Sequence, residues 1–231
     1  MKCMTRMYKF VRKTWNPFVG CSFNCKYCWA RRLAKRLNCE FCREFLPHLH
    51  PERLDKIPKP RGGIVFVCDM GDISVAHRKL VEKILGAVIE AQKRTDTTYF
   101  FETKNPTVYY TCILRYDLKP DQTIVSTTIE TNREDLTKAV SLAPPPKVRY
   151  QSMKLLDWPR KHVSIEPIMR FDLSVMFEWI TGINPECVSV GYDNYGNKLP
   201  EPRLQDVLKL IELLEESGIK VERKTLRKPW K

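Results

Sequence analysis

The sequence predicts an α/β fold whose core is a parallel sheet rolled into a partial (β/α)6 TIM-like barrel. Three observations carry that expectation. Apolar runs of strand length without polar alternation, such as Ile64-Val65-Phe66-Val67-Cys68, suit strands covered on both faces. Segments with apolar residues at helical spacing separate those runs, the pattern of right-handed βαβ crossovers. Polar residues collect just after the apolar runs, where the strand ends of parallel α/β folds converge on a cavity.

The elements follow in order. A first strand is expected just before Cys21, and a helix rich in Ala, Leu, Lys and Arg over 29–37. Residues 38–61, bearing Pro, His and Cys, form an insertion before the second strand at 64–68. Leu80, Val81, Ile84, Leu85, Val88 and Ile89 mark an amphipathic helix of about four turns. Thr98-Tyr99-Phe100-Phe101 and the run 123–129 are the next strands. Ala143-Pro144-Pro145-Pro146 must be a turn or an extended link. Short strands at 163–165 and 188–190 flank an apolar helix at about 173–180. Pro202 opens a helix whose buried face is Leu204, Val207, Leu208, Ile211 and Leu214; Gly218 stops it, and 219–221 is a last strand. The strand–helix units, six to seven of them, form one domain over residues 1–231, without internal repeat or low-complexity tract.

Among 231 residues no apolar run approaches the ~18–20 needed to span a bilayer, and the basic start, Met1-Lys2-Cys3, lacks a secretory apolar stretch. Nine cysteines, an odd number, argue for reduced thiols and metal chemistry in the cytoplasm, with no membrane partner. The net charge of +13 is uneven. Residues 1–61 hold 15 Lys+Arg against 4 Asp+Glu, giving +11, and residues 218–231 hold 6 against 1, giving +5. The middle of the chain carries −3. Such a field attracts a polyanion by counterion release, which makes tRNA or DNA a candidate partner; the alternative is a solvated basic surface.

The most informative motif is Cys21, Cys25 and Cys28, spaced C-x3-C-x2-C. Three thiolates hold three corners of a four-iron cluster and leave the fourth iron without a protein ligand, whereas full protein sets use four cysteines. A compact trio therefore points to an exogenous fourth ligand, and an open metal corner is a reaction site. Tyr27 precedes the last cysteine, and the first helix follows at once.

With this context the chain resembles the radical SAM superfamily, whose cluster loop joins the first strand of a partial barrel to its first helix. More narrowly it resembles a little-characterised radical SAM family of phages, bacteria and archaea. The matching segments are Trp15-Asn16-Pro17 with the triplet, Val67-Cys68-Asp69-Met70-Gly71-Asp72, Thr103-Lys104-Asn105-Pro106, Thr128-Ile129-Glu130-Thr131, Ser164-Ile165-Glu166-Pro167 and Gly191-Tyr192-Asp193-Asn194. The resemblance implies a 4Fe-4S cluster on Cys21, Cys25 and Cys28, with S-adenosylmethionine (SAM) on the open iron. It also implies reductive cleavage of SAM to a 5′-deoxyadenosyl radical that abstracts a substrate hydrogen. An electron donor such as a ferredoxin or flavodoxin is then required. By the same resemblance Cys68, Asp69 and Met70 map to the SAM amino group, although the usual glycine-rich signature is absent there. Ser126, Thr128 and Glu130 map to the ribose, and Ile165, Glu166, Val190 and Gly191 to the adenine region. Tyr27 is assigned to the cofactor as well. Glu102, Lys104, Glu130 and Glu166 are the candidate catalytic residues at the same mouth.

Cys39 and Cys42 form a second C-x2-C, followed by His48 and His50. With the histidines they make a candidate tetrahedral zinc site, with another thiolate an auxiliary cluster, and without either they are packed small residues. Cys68 and Cys187, in apolar runs, read as core, and Cys3 and Cys112 carry no signal. Isolated His77 and His162 read as surface or capping residues. Trp15, Trp29, Trp158 and Trp179 read as core, Trp15 in addition shielding the cluster. Two other functional readings are open. One is a nucleic-acid-binding zinc protein with Cys25, Cys28, Cys39 and Cys42 around one ion. The other is a cluster-binding scaffold that does not cleave SAM.

Overall fold

The computed structural model describes residues 7–230; Cys3 and the basic start of the chain lie outside them. Seven strands form one sheet in which every pair of neighbours is parallel. In chain order the strands and first helices are β1 (Val11–Trp15), β2 (Phe18–Val19), α1 (Trp29–Ala34), α2 (Glu40–Arg43), β3 (His48–Leu49), β4 (Ile64–Val67) and α3 (Arg78–Gln92). There follow β5 (Thr98–Thr103), α4 (Thr107–Thr111), β6 (Thr123–Thr128), α5 (Glu134–Lys138), α6 (Pro146–Leu155), β7 (Lys161–Ile165), α7 (Leu173–Ile183), β8 (Cys187–Val190), α8 (Leu204–Glu216) and β9 (Lys220–Arg223). The sheet order is β1-β4-β5-β6-β7-β8-β9, while β2 and β3 make a separate antiparallel ribbon.

Side chains alternate across each strand. Val65, Val67, Tyr99, Phe101, Val125 and Val163 join the main apolar core with the buried stripes of α3, α7 and α8. Their neighbours Phe66, Phe100 and Ile124, in register with one another, gather on the other face around Tyr8. The sheet curls around that face into a half-barrel, because Tyr8 touches three separated strands at once. Its hydroxyl donates to Glu102 of β5 at 2.9 Å and lies 2.8 Å from Ser164 Oγ of β7, and its ring lies 4.3 Å from the ammonium of Lys224, just past β9.

Four expectations need correction. The barrel strand is β1, not the residues abutting Cys21; Pro17 has no N–H to continue the ladder, and Phe18–Val19 pair with β3 instead. Ala143 to Pro145 form the expected non-helical link, but Pro146 is already the first residue of α6, where a missing N–H costs nothing. That helix escaped notice because its buried face includes Arg149. Leu208 is exposed and Leu210 replaces it in the buried stripe Val207, Leu210, Ile211 and Leu214. His162 is buried, held between Ser126 Oγ at 2.8 Å and Ser189 Oγ at 2.9 Å. His77, by contrast, caps α3, accepting from Lys79 N, and Trp15 is buried with Nε1 donating to Arg53 O at 2.9 Å.

Candidate functional site

The carboxyl ends of the strands surround a cavity of about 270 Å³. The loop carrying the triplet is locked to it from both sides. Asn16, after β1, accepts from Met70 N at 2.9 Å and donates to Asp69, so the Trp15-Asn16-Pro17 motif clamps the turn that ends β4. Gly20 then passes so close to the 45–47 segment that a Cβ would sit 2.2 Å from the Leu46 carbonyl oxygen. Its φ of +100° is also one that L side chains rarely adopt. Gly20 N donates to Met70 O at 3.1 Å, and a Cβ on Gly71 would lie 2.9 Å from Gly20 O. Two glycines are needed where these backbones cross.

Cys21, Cys25 and Cys28 all line the cavity. Cys21 Sγ accepts from Phe23 N at 3.4 Å, and Cys28 Sγ caps α1, accepting from Arg31 N at 3.3 Å. Cys25 Sγ lies 3.1 Å from Ser141 Oγ, on a loop that Leu142 N ties to Phe23 O at 2.7 Å. Burial pushes the Cys21 thiol well above its ordinary range, with further repulsion from Asp72, Cys25 and Cys28, and burial likewise raises Cys28. Three soft donors that repel one another as thiolates in a buried site are a donor set completed by a cationic iron–sulfur centre. Arg31 crosses the same loop, its Nη2 donating to Cys21 O at 3.3 Å and its Nε buried without a partner, a donor beside Cys28. The residues fit such a cluster.

The wall opposite is acidic and basic in alternation. Lys104 and Arg149 both bind Glu130, which is fully buried: Arg149 Nη1 donates at 2.9 Å, the Lys104 ammonium also contacts the carboxylate, and Tyr27 Oη donates at 3.0 Å. Burial alone would raise Glu130, but the two cations outweigh it and hold the carboxyl well below its usual range. Glu102 sits deeper, accepting from Tyr8 and Ser126, and burial pushes it up to about 7 against those hydrogen bonds. Asp69 is raised by burial to about 6. Glu166 pairs with Lys224 at 2.6 Å and accepts from Asn194 Nδ2 at 3.1 Å. Asp72 caps the following turn and also receives Thr103 Oγ1 at 2.6 Å and Lys104 N at 2.9 Å.

The candidate residues thus divide. Cys21, Cys25, Cys28, Tyr27, Asp69, Glu102, Lys104, Thr128 and Glu166 line the cavity. Cys68, Met70, Ser126, Glu130, Ile165, Val190 and Gly191 stand buried behind that lining; the carbonyl of Met70 is taken by Gly20 N and that of Cys68 by Gly71 N. Tyr8, Phe23 and Lys224 line the cavity without a sequence signal, since they come from the two chain ends and a loop. Arg149 was hidden in the proline-led helix. Cys39 and Cys42 gather with His48 and His50, and not with Cys25 and Cys28 as the four-cysteine zinc reading requires. Cys68 is core, and Cys187 is half-buried. No helix among the described residues is long and apolar enough to cross a membrane.

The fold is that of the radical SAM enzymes. SuiB of Streptococcus suis, solved bound to S-adenosylmethionine, matches with a TM-score of 0.54 at 11% identity, over 92% of this chain and 46% of SuiB. Methylornithine synthase (PylB) matches with a TM-score of 0.57 at 12% identity, over 93% of this chain and 71% of that one. A point mutant of spore photoproduct lyase, solved with dinucleoside spore photoproduct, matches with a TM-score of 0.50 at 13% identity, over 86% of this chain and 59% of the lyase. The chain therefore spans less than half the length of SuiB. No curated protein matches it by sequence. Residues 6–191 match the family described as "Protein of unknown function (DUF5131)", and the chain belongs to that family.

Proposed function

We propose that the protein is a radical SAM enzyme. The observation that carries this reading is the placing of Cys21, Cys25 and Cys28 on one cavity at the carboxyl mouth of a parallel half-barrel. When bound there, a 4Fe-4S cluster with SAM on its open iron supplies, after one-electron reduction, reductive cleavage of the sulfonium to a 5′-deoxyadenosyl radical. The chain's own residues bind, orient and shield. The three thiols hold the cluster, with the Phe23 and Arg31 amides supporting Cys21 and Cys28. Asp69, at the end of β4, faces the cavity and suits an ammonium such as that of the SAM amino acid. Lys104 and Thr128 supply polar contacts on the wall, and Tyr27 stands beside Lys104 with its ring 5.2 Å from the ammonium. Glu102 and Glu166 face the same space and are placed to contact the cofactor or the substrate.

The substrate class we favour is a nucleic acid or nucleotide, supported by the +11 charge of residues 1–61, which carry the triplet, and by Lys224 at the cavity. A ferredoxin or flavodoxin in the cytoplasm is the proposed electron source. The test of the enzyme class is anaerobic reconstitution with iron and sulfide, then dithionite and SAM. Production of 5′-deoxyadenosine that disappears in Cys21→Ala, Cys25→Ala and Cys28→Ala supports it. Its absence from a fully loaded cluster would instead mark a scaffold that does not cleave SAM.

A further inference from the structure

A second group of metal-binding side chains lies outside the cavity. Cys39, Cys42, His48 and His50 bring one ligand atom each to a common point, all four atoms lying within 4.8 Å of one another. The local fold explains why. Cys39 caps α2 and Cys42 lies three residues on, so both thiols share one face of the turn. His48 lies in β3 and His50 two residues further on, so both rings share one side of that strand. The ribbon with β2 lays this histidine side against the cysteine turn.

The distances are close to those of a single tetrahedral ion, with the Cys42–His50 and His48–His50 approaches shorter than the ideal spacing. Bond lengths of about 2.3 Å to sulfur and about 2.0–2.1 Å to nitrogen put the ligand atoms about 3.3–3.8 Å apart. The Sγ to Nε2 separations are 3.5 Å for Cys39–His48, 3.4 Å for Cys42–His48 and 3.2 Å for Cys42–His50, and the two Nε2 atoms are 2.9 Å apart. A two-iron cluster with the cysteines on one iron and the histidines on the other would hold the two ligand types at opposite ends. Here each imidazole touches a thiol.

The outer contacts fix the tautomers. His48 Nδ1 lies 2.7 Å from Leu46 O, and His50 Nδ1 lies 3.0 Å from Glu52 Oε1. A carbonyl and a carboxylate only accept, so both Nδ1 atoms carry hydrogen, the usual arrangement behind metal-bound histidines. Two bare Nε2 atoms then stand 2.9 Å apart, their rings inclined at 58°. Only a cation between them, a metal ion or a shared proton, reconciles that approach, and two adjacent thiols supply the remaining corners for a metal.

We infer that Cys39, Cys42, His48 and His50 bind one structural zinc ion that anchors the insertion against the loop carrying Cys21. On binding, the two thiols lose their protons to solvent and the divalent ion is neutralised. Contacts around the site supply the anchoring. His48 pairs with Val19 across the ribbon, and Cys21 N donates to Phe45 O at 3.3 Å. Cys42 is fully buried in one small core with Val19, Phe45 and Met70, against which Cys21 and Cys28 pack. This site goes beyond the proposed reaction and does not depend on it.

The test uses the full chain with Cys21, Cys25 and Cys28 all replaced by Ala, so that the first motif cannot bind metal. The variant is expected to hold one zinc per chain, and with cobalt in place of zinc to give the intense visible bands of tetrahedral thiolate coordination. Adding Cys39→Ser or His48→Ala abolishes both readings, and His77→Ala, which alters a helix cap, leaves them intact. Less than stoichiometric zinc, weak six-coordinate cobalt bands, or zinc that survives loss of Cys39 and Cys42 would overturn the assignment and leave the shared proton. If the triple variant does not fold, the cobalt spectrum of the wild-type chain, prepared without iron, decides between two-sulfur two-nitrogen and three-sulfur coordination. The anchoring is read by limited trypsin digestion: cleavage at exposed Arg43 accelerates when zinc is stripped, and equal rates with and without zinc would refute it.

Discussion

Replacing Arg149 by Met tests whether the cavity wall rests on a buried charge network. The guanidinium and the Glu130 carboxylate are both fully buried. Arg149 Nη1 donates to Glu130 Oε2 at 2.9 Å and to Thr128 O at 3.2 Å, and Nε donates to Pro144 O at 2.7 Å. Removing one partner of a buried pair costs about 3–5 kcal/mol, because the other charge stays behind. Lys104 remains beside Glu130, which argues for the low end, while the stranded Thr128 and Pro144 carbonyls add about 1 kcal/mol or more. The expected loss is about 4 kcal/mol. For a chain of this size that lowers Tm by about 8–16 °C, measured by circular dichroism under anaerobic conditions. The sign with pH also follows. Glu130 is held below its unfolded value of 4.5, so its contribution is full above that pH and is lost as pH falls toward the folded value. Arg149→Met should therefore narrow its gap to the wild type in acid. A loss under about 1 kcal/mol, or a gap independent of pH, would refute the network.

Three other outcomes follow from the geometry. Glu102, raised from 4.5 to about 7, favours the folded state while protonated and costs stability as pH rises through about 7. Glu102→Gln should thus gain on the wild type between about pH 4.5 and 7 and hold that gain above it, by at most about 3 kcal/mol, and a constant difference would contradict the burial argument. Gly20→Ala places a methyl group 2.2 Å from the Leu46 carbonyl at a φ of +100°; it should cost at least about 2 kcal/mol and lower the iron bound per chain, measured after reconstitution. Full iron loading would show that the Cys21 loop tolerates displacement. Affinity for tRNA or single-stranded DNA should fall about tenfold or more between about 50 and 200 mM salt if the basic segments dock a polyanion. Salt-insensitive binding, or none, removes the nucleic-acid reading.

Much of the fold was legible because buried parallel strands announce themselves. Ile64–Val67 and Tyr99–Phe101 have no polar alternation, and helices such as α3 carry clear apolar stripes. The triplet was legible because its ligands are close in sequence. What was hidden depends on contacts between distant segments. Tyr8 reaches Glu102 and Ser164 only because the sheet curls, and His162 is buried only because Ser126 and Ser189 flank it on neighbouring strands. Arg149 sits in a helix whose buried face carries a charge that is offset only when Glu130 arrives from the end of β6. The same logic separates the candidate residues: the family resemblance singled out Glu130 and Ser126, but the pleat and the Arg149 helix cover them.

The central claim is that three thiols hold a cluster with one iron left open to an outside ligand. The most direct measurement is electron paramagnetic resonance of the dithionite-reduced, reconstituted protein with and without SAM. The account predicts a reduced 4Fe-4S signal whose g-values shift when SAM is added, and which is lost when Cys21, Cys25 and Cys28 are replaced. A cluster signal that SAM leaves unchanged, or one that persists without those cysteines, would contradict it.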